Sequence, residues 1–238
     1  KTAYEIRNCD WSSDVCSSDL LKTTPAYDPQ AGAGARFGVV WGMENPQYYA
    51  TGEPDFVDPP SVRRAACHRF VAEEVRATRE AAGLLDAGVY ARYEVSGPGA
   101  AAWLDHLLAS RLPEIGRARL APMLAPSGKL MGDLSVTRWS TDRFWLVGSY
   151  YLQEWHLRWF RDHLPASGVQ IANLSESHLA VSLSGPRSRD ILASLTRDAL
   201  DNASIPFLGA AELDLGAMRA QVLRMSLTGE LGYEITVP

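Results

Sequence analysis

The chain has 238 residues, of which 46% are hydrophobic and 21% charged, with 23 basic against 28 acidic side chains and a formal charge of −5. That length can bury a sizeable core as one large domain or two small ones. The mild acidity leaves no basic footprint for nucleic acid, and no apolar run reaches the roughly 18 residues a membrane span needs, so neither partner is expected.

Residues 1–20 stand apart. Lys1 to Glu5 and Asp10 to Asp19 read back at the codon level as the two constant parts of a sequencing-library adapter, with Ile6 to Cys9 at the place of its barcode. The segment is therefore set aside as an artefact before any fold is read. Without it 21 basic and 24 acidic side chains remain, a formal charge of −3, and Cys67 is the single cysteine left. One cysteine argues against a disulfide framework or a cysteine metal site and fits a reducing compartment such as the cytoplasm. His68, His106, His156, His163 and His178 show no metal-ligand spacing and read as helix-surface or core residues.

Residues 21–66 are rich in Pro, Gly and aromatics and read as an irregular arm. Its Ala31-Gly32-Ala33-Gly34-Ala35 run lacks the spacing and the preceding strand of a dinucleotide fingerprint. A folded domain is expected over 67–238. Arg69 to Leu84 has helical periodicity, with Phe70, Val71, Val75 and Ala82 on one side. Tyr90 to Ser96 alternates like a strand and stops at Gly97-Pro98; a helix over Ala100 to Leu108 follows. The same unit recurs, because Leu183-Ser184-Gly185-Pro186 precedes a helix over Ser188 to Leu195. Strand, Ser-Gly-Pro turn and helix appearing twice suggest two similar α+β halves.

Between the copies, Arg117 to Met123, Leu130 to Trp139 and Arg143 to Val147 form an antiparallel meander, with turns at Pro126-Ser127-Gly128 and Ser140-Thr141-Asp142. Leu152 to Leu164 reads as a helix with Trp155 and Trp159 as core anchors. The chain stops within a strand-like run, Tyr233 to Pro238, which suggests a domain truncated at its C-terminus.

Two segments carry candidate chemistry. Asp133 interrupts a strand of apolar or small residues just after a tight turn. An acid so placed faces either solvent or a cavity; in a cavity, desolvation and nearby donors make it a proton acceptor or a cation partner. In Ser226 to Glu234, Gly229 and Gly232 bracket Glu230 on a turn that lets another group approach closely. A carboxylate held this way suits a flat ring with adjacent N–H donors, and a plain surface hairpin is the other reading.

The segments Arg79 to Asp86, Glu94 to Pro98, Gly128 to Thr137, Leu183 to Pro186 and Thr228 to Glu234 resemble, in order and spacing, the glycine-cleavage T-protein (aminomethyltransferase) family. The arm segment Phe37 to Pro46 is similar to the joint between the flavin and folate halves of dimethylglycine and sarcosine dehydrogenases. The resemblance implies an α+β folate-binding fold with two pseudo-repeated halves and antiparallel sheets. It further implies that a flavin domain, absent from this chain, oxidises an N-methyl amine with FAD. The resulting one-carbon intermediate then passes to tetrahydrofolate as 5,10-methylenetetrahydrofolate. Eukaryotic relatives of this kind work in the mitochondrial matrix.

By motif position Asp133 is similar to the family's essential aspartate, holding the attacking folate amine and taking its proton or stabilising a cationic intermediate. Glu230 matches the glutamate that grips the pterin ring, Val147 would line the pocket, and Tyr233 is counted among the cofactor-binding residues. Leu120 and Leu223 stand where relatives often have folate-contacting tyrosines. A stand-alone aminomethyltransferase and a folate-binding iron–sulfur assembly factor are the alternatives; the latter places a cysteine where Ser226 to Glu230 has none.

Overall fold

The structure, a computed structural model, describes residues 22–238; residues 1–20, read above as adapter, lie outside the described residues. The chain divides into two compact units between Glu80 and Ala81.

The first unit is more ordered than an irregular arm. It holds α1 (Tyr27–Gly32), β1 (Ala35–Val40), β2 (Met43–Tyr49) and α2 (His68–Glu80). The strands pair antiparallel with Val40 opposite Met43. Trp41 and Gly42 between them both take positive φ, 55° and 83°. Two positive-φ residues make the hairpin turn whose twist matches its strands, but Trp at the first position hides the turn from composition. Tyr27 stacks on Phe37 at 4.3 Å, and Phe56 meets Phe70 of α2 at 5.0 Å. The Tyr49 N–H donates to Glu74 of the same helix at 2.7 Å. Helix α2 thus belongs to this unit, and the division falls at its end rather than at residue 66.

The second unit contains β3 (Gly83–Asp86), β4 (Tyr90–Ser96), α3 (Ala100–Leu107), β5 (Arg117–Leu124), β6 (Leu130–Arg138), β7 (Arg143–Ser149), α4 (Gln153–Asp162) and β8 (Gln170–Asn173). After these come β9 (Leu179–Ser184), α5 (Ser188–Ala193), β10 (Ala210–Leu215), β11 (Met218–Arg224) and β12 (Gly232–Val237). They form two five-stranded sheets, in the orders β5-β6-β7-β4-β8 and β10-β11-β12-β9-β3. All the pairings are antiparallel. The expected α+β class with antiparallel sheets is what the chain adopts.

Each sheet buries one face. In the first, Tyr93, Val95, Leu134, Val136, Phe144 and Leu146 pack with Trp103, Leu104, Leu107, Leu157 and Phe160 of α3 and α4. In the second, Leu183, Leu213, Ala220, Val222, Tyr233 and Ile235 pack with Leu192 of α5 and with Leu200 and Ile205. The two Ser-Gly-Pro units occupy equivalent places, one per sheet. Gly97 and Gly185 have φ of 114° and 119°, and each carbonyl accepts from the N–H three residues on, at 2.9 and 3.0 Å.

Two elements depart from the periodicity. The helix expected to reach Leu84 ends at Glu80, and Gly83–Asp86 instead pairs with β9 as an edge strand. The buried anchors of α4 are His156, Leu157 and Phe160, with Trp159 packed partly buried against the same core as expected, whereas Trp155 is exposed and donates its ring N–H to the Met131 carbonyl at 3.1 Å. An amphipathic indole serves that half-wet position well. Among the described residues no helix is long and apolar enough to cross a membrane.

Candidate functional site

Alternation along a strand sends successive side chains to opposite faces, so the register decides which candidates meet. On the face of the first sheet turned away from α3 and α4, one row runs Leu120, Ser135, Val147, Arg92 across β5, β6, β7 and β4. The adjoining row pairs Pro122 with Asp133. Pro122 is tolerated because β5 is an edge strand and owes no ladder hydrogen bond on its open side. On the second sheet, the face turned from its core carries the row Ala210, Leu223, Glu234, Ser182, Leu85.

The two faces meet across Arg143. Its Nε donates to Glu94 at 2.7 Å on its own sheet, and its terminal nitrogen donates to Glu212 at 2.8 Å on the other. Ala118, Thr137 and Trp145 are buried at this end. Toward the other end Asp133 and Leu120 are exposed, Leu120 at 66%. The first sheet's inner face therefore runs from a closed, pinned end to an open one, with Asp133, Leu120 and Val147 on the open side. Among the described residues the Asp133 carboxylate makes no hydrogen bond or ion pair, which leaves both oxygens available to an incoming donor.

Glu230 is placed elsewhere. It lines a cavity of about 250 Å³ with Phe207, Arg224, Met225, Ser226, Gly229 and Gly232, and the Thr228 hydroxyl donates to its carboxylate. Arg224 in that cavity donates to Asn202 and to the Ile205 carbonyl, both at 2.9 Å. Asp133 is not among the residues that line this cavity. Tyr233 requires a correction as well. It is fully buried in the helix-side core, opposite Leu183 and Arg224, and its hydroxyl accepts from Arg189 at 3.0 Å. It cannot line the face that carries Leu223, because its neighbours Gly232 and Glu234 do.

Glu234 is the residue that sequence reasoning passed over. It stands beside Leu223 on the inner face, and burial pushes its carboxyl above the usual carboxylate range while Arg92 pulls it back. Among the described residues its carboxylate accepts no hydrogen bond. Arg92, 3% exposed, is held by the Tyr90 and Ala87 carbonyls at 2.9 and 2.7 Å. The period-2 pattern of β12, with Gly232, Glu234 and Thr236 against Tyr233, Ile235 and Val237, contained the signal, since an acid amid apolar strand residues needs a reason.

A fold of two antiparallel sheets with helices on their outer faces, enclosing acids and apolar side chains between them, defines a class of α+β domain. The GCVT N-terminal domain family model matches residues 26–238, and the chain belongs to that family. It is 28% identical to rat mitochondrial dimethylglycine dehydrogenase over 82% of this chain and 23% of that one. It is likewise 28% identical to the sarcosine oxidase alpha subunit of Corynebacterium sp. P-1, over 92% of this chain and 22% of that one. Among solved structures it is similar to the glycine cleavage aminomethyltransferase T of Bartonella henselae, with a TM-score of 0.74 and 26% identity over 92% of this chain and 54% of that one. The chain thus spans under a quarter of the first two relatives and about half of the third.

A match over 92% of the chain cannot be confined to residues 67–238. The arm therefore aligns with an aminomethyltransferase too and does not by itself select the dehydrogenases.

Proposed function

We propose that this chain is the folate-dependent part of a flavoenzyme that oxidises an N-methyl amine such as dimethylglycine or sarcosine, passing the released one-carbon unit to tetrahydrofolate to give 5,10-methylenetetrahydrofolate. The observation that supports this most is the inner face itself: Asp133, Leu120 and Val147 stand on one sheet, with Leu223 and Glu234 on the facing side of the other. Tetrahydrofolate supplies the nucleophilic nitrogens that take up the one-carbon unit. The residues present suit such a molecule, because the half-buried Glu234 carboxylate, without a hydrogen-bond donor among the described residues, calls for a ligand's N–H groups. Glu234 would hold the flat ring by accepting from adjacent N–H groups, with Leu120, Val147 and Leu223 as its apolar walls. Asp133, at the open end, would accept the proton of the attacking amine and steady positive charge next to it. Glu230 keeps a supporting role in the neighbouring turn. FAD belongs to a domain elsewhere in the protein.

A second reading, a stand-alone aminomethyltransferase, is favoured by the Bartonella match, which takes in the arm. The donor decides between them: a flavin-generated product of an N-methyl amine for the first, a carrier-bound aminomethyl group for the second. In the flavin-containing protein, Asp133→Ala should leave amine oxidation unchanged and lower folate-dependent methylene capture by about 10² to 10⁴-fold. Capture at the parent rate would remove Asp133 from the chemistry.

A further inference from the structure

Directly behind Asp133, on the core side of β6, lies the ring of His156 from α4. It is 0% exposed. Its Nδ1 lies 3.3 Å from the Tyr93 hydroxyl, which also lies 3.3 Å from the Gln153 carbonyl. Whichever ring nitrogen carries the proton, Nε2 has no partner among the described residues. An unmet buried polar atom costs about 1–3 kcal/mol, so an aliphatic side chain would serve the core better. A residue that the core alone would not choose asks for another explanation.

The backbone around the ring offers one. A methyl group added at Gly132 would sit 2.8 Å from His156 Nε2, and one added at Gly148 would sit 3.0 Å from Cε1 of the same ring. Two glycines on neighbouring strands thus form a notch into which the flat ring fits edge to edge. Gly132 immediately precedes Asp133, and Gly148 immediately follows Val147. The ring touches the backbone at the two positions adjoining the two residues given to the ligand face of this sheet. Its burial disfavours the charged imidazole, with Asp133 the opposing influence, and the fit of the ring into the notch is a contact of shape.

We infer that His156 is a positioning residue for Asp133 and Val147: seated in the Gly132–Gly148 notch, it sets where those two strands hold the side chains that face the ligand. The inference rests on the reading of Asp133 as the proton-accepting group. A shift of about 1 Å at a site can cost on the order of a hundredfold, so a shape contact of this kind is enough to matter.

The test uses three variants, with resonances read in this chain and tetrahydrofolate affinity in the flavin-containing protein. In His156→Leu the unmet nitrogen is gone while side-chain volume is nearly kept, so the melting temperature should stay close to the parent's. The NMR resonances of the Asp133 amide and the Val147 methyls should nonetheless move, and the tetrahydrofolate dissociation constant should rise by about tenfold or more. Gly132→Ala should move the same resonances by pushing on the ring. Combining Gly132→Ala with His156→Ala should return them toward the parent positions, since the new methyl enters the space the ring vacates. Unmoved resonances at 133 and 147 in both folded single variants would overturn the inference and leave His156 as core filling. If the parent flavin-containing protein binds no tetrahydrofolate, the functional reading fails instead, and the resonances still decide the positioning role.

Discussion

Glu234 carries a carboxylate into the space between two sheets, and its folded pKa is raised, burial outweighing the attraction of Arg92. A raised carboxyl contributes stability that is fully present below its unfolded value and is lost as pH rises through the folded one. As pH rises above the unfolded value, the carboxyl therefore works increasingly against the unliganded fold. Glu234→Gln keeps the shape and removes the charge. It should raise the melting temperature at pH 7, with the gain vanishing near pH 4, while weakening tetrahydrofolate binding by about tenfold to a hundredfold, the worth of a hydrogen bond to a charged group. Glu230→Gln, in its separate cavity, should change that affinity by less than about threefold on the same scale. Melting curves over pH and a ligand titration check both, and the reverse ranking of the two variants would return the ring-gripping role to Glu230. Such trade-offs between stability and binding are expected where a site keeps an uncompensated group. Motif spacing could reach as far as the glycine-bracketed turn and Asp133, because both are local features of sequence. Whether position 230, 233 or 234 faces the ligand depends on the register of β12 between β11 and β9, and register is set by partners distant in the chain.

The strand-turn-helix unit was legible twice over, because Gly97 and Gly185 mark a backbone that only glycine adopts easily. Both take φ near +115°, and a methyl at Gly97 would come within 2.5 Å of the Gly168 carbonyl oxygen. Strands β3, β8, β10 and β11 left weaker signals. They are short or partly exposed, as with Leu84 and Leu85 at 64% and 61% in β3, and short apolar runs do not separate strand from helix end. The hairpin of the first unit was hidden for another reason, since Trp41 occupies a turn position where Asn or Asp usually stands. The paired glycines invite a comparative test at this scale. Gly185→Ala should cost about 1–3 kcal/mol from the strain of its positive φ. Gly97→Ala should cost more, because the strained turn must also yield to the Gly168 carbonyl. Urea denaturation of the two variants measures the difference, and equal losses would mean that the loop at Gly168 gives way freely.

Across the whole second unit, one side chain joins the two sheets at their buried end while the other end of the first stays open beside Asp133 and Leu120. Arg143 spreads its guanidinium between Glu94 and Glu212, and the hydrogen bond from Arg143 is the largest influence holding the Glu212 carboxyl below the usual range. For a depressed carboxyl, stability is present above the unfolded value, about 4.3 for Glu, and is lost as pH falls through the folded one. The pin should therefore hold at neutral pH and release in acid. Both side chains are about one third exposed, 33% and 31%, so solvent screening limits the contribution to about 1 kcal/mol at low salt. Glu212→Gln should lower the melting temperature at pH 7 and converge on the parent as pH drops below about 4. High salt should shrink the gap at pH 7 in the same way. Thermal melts from pH 3 to 7 at two salt concentrations supply the data. Curves that run parallel at every pH would show that the sheets are held together at this end by other contacts, such as the main-chain bonds from Ala118 N–H to Leu208 and from Ala210 N–H to Gly116, with the Arg143 bridge contributing nothing of its own.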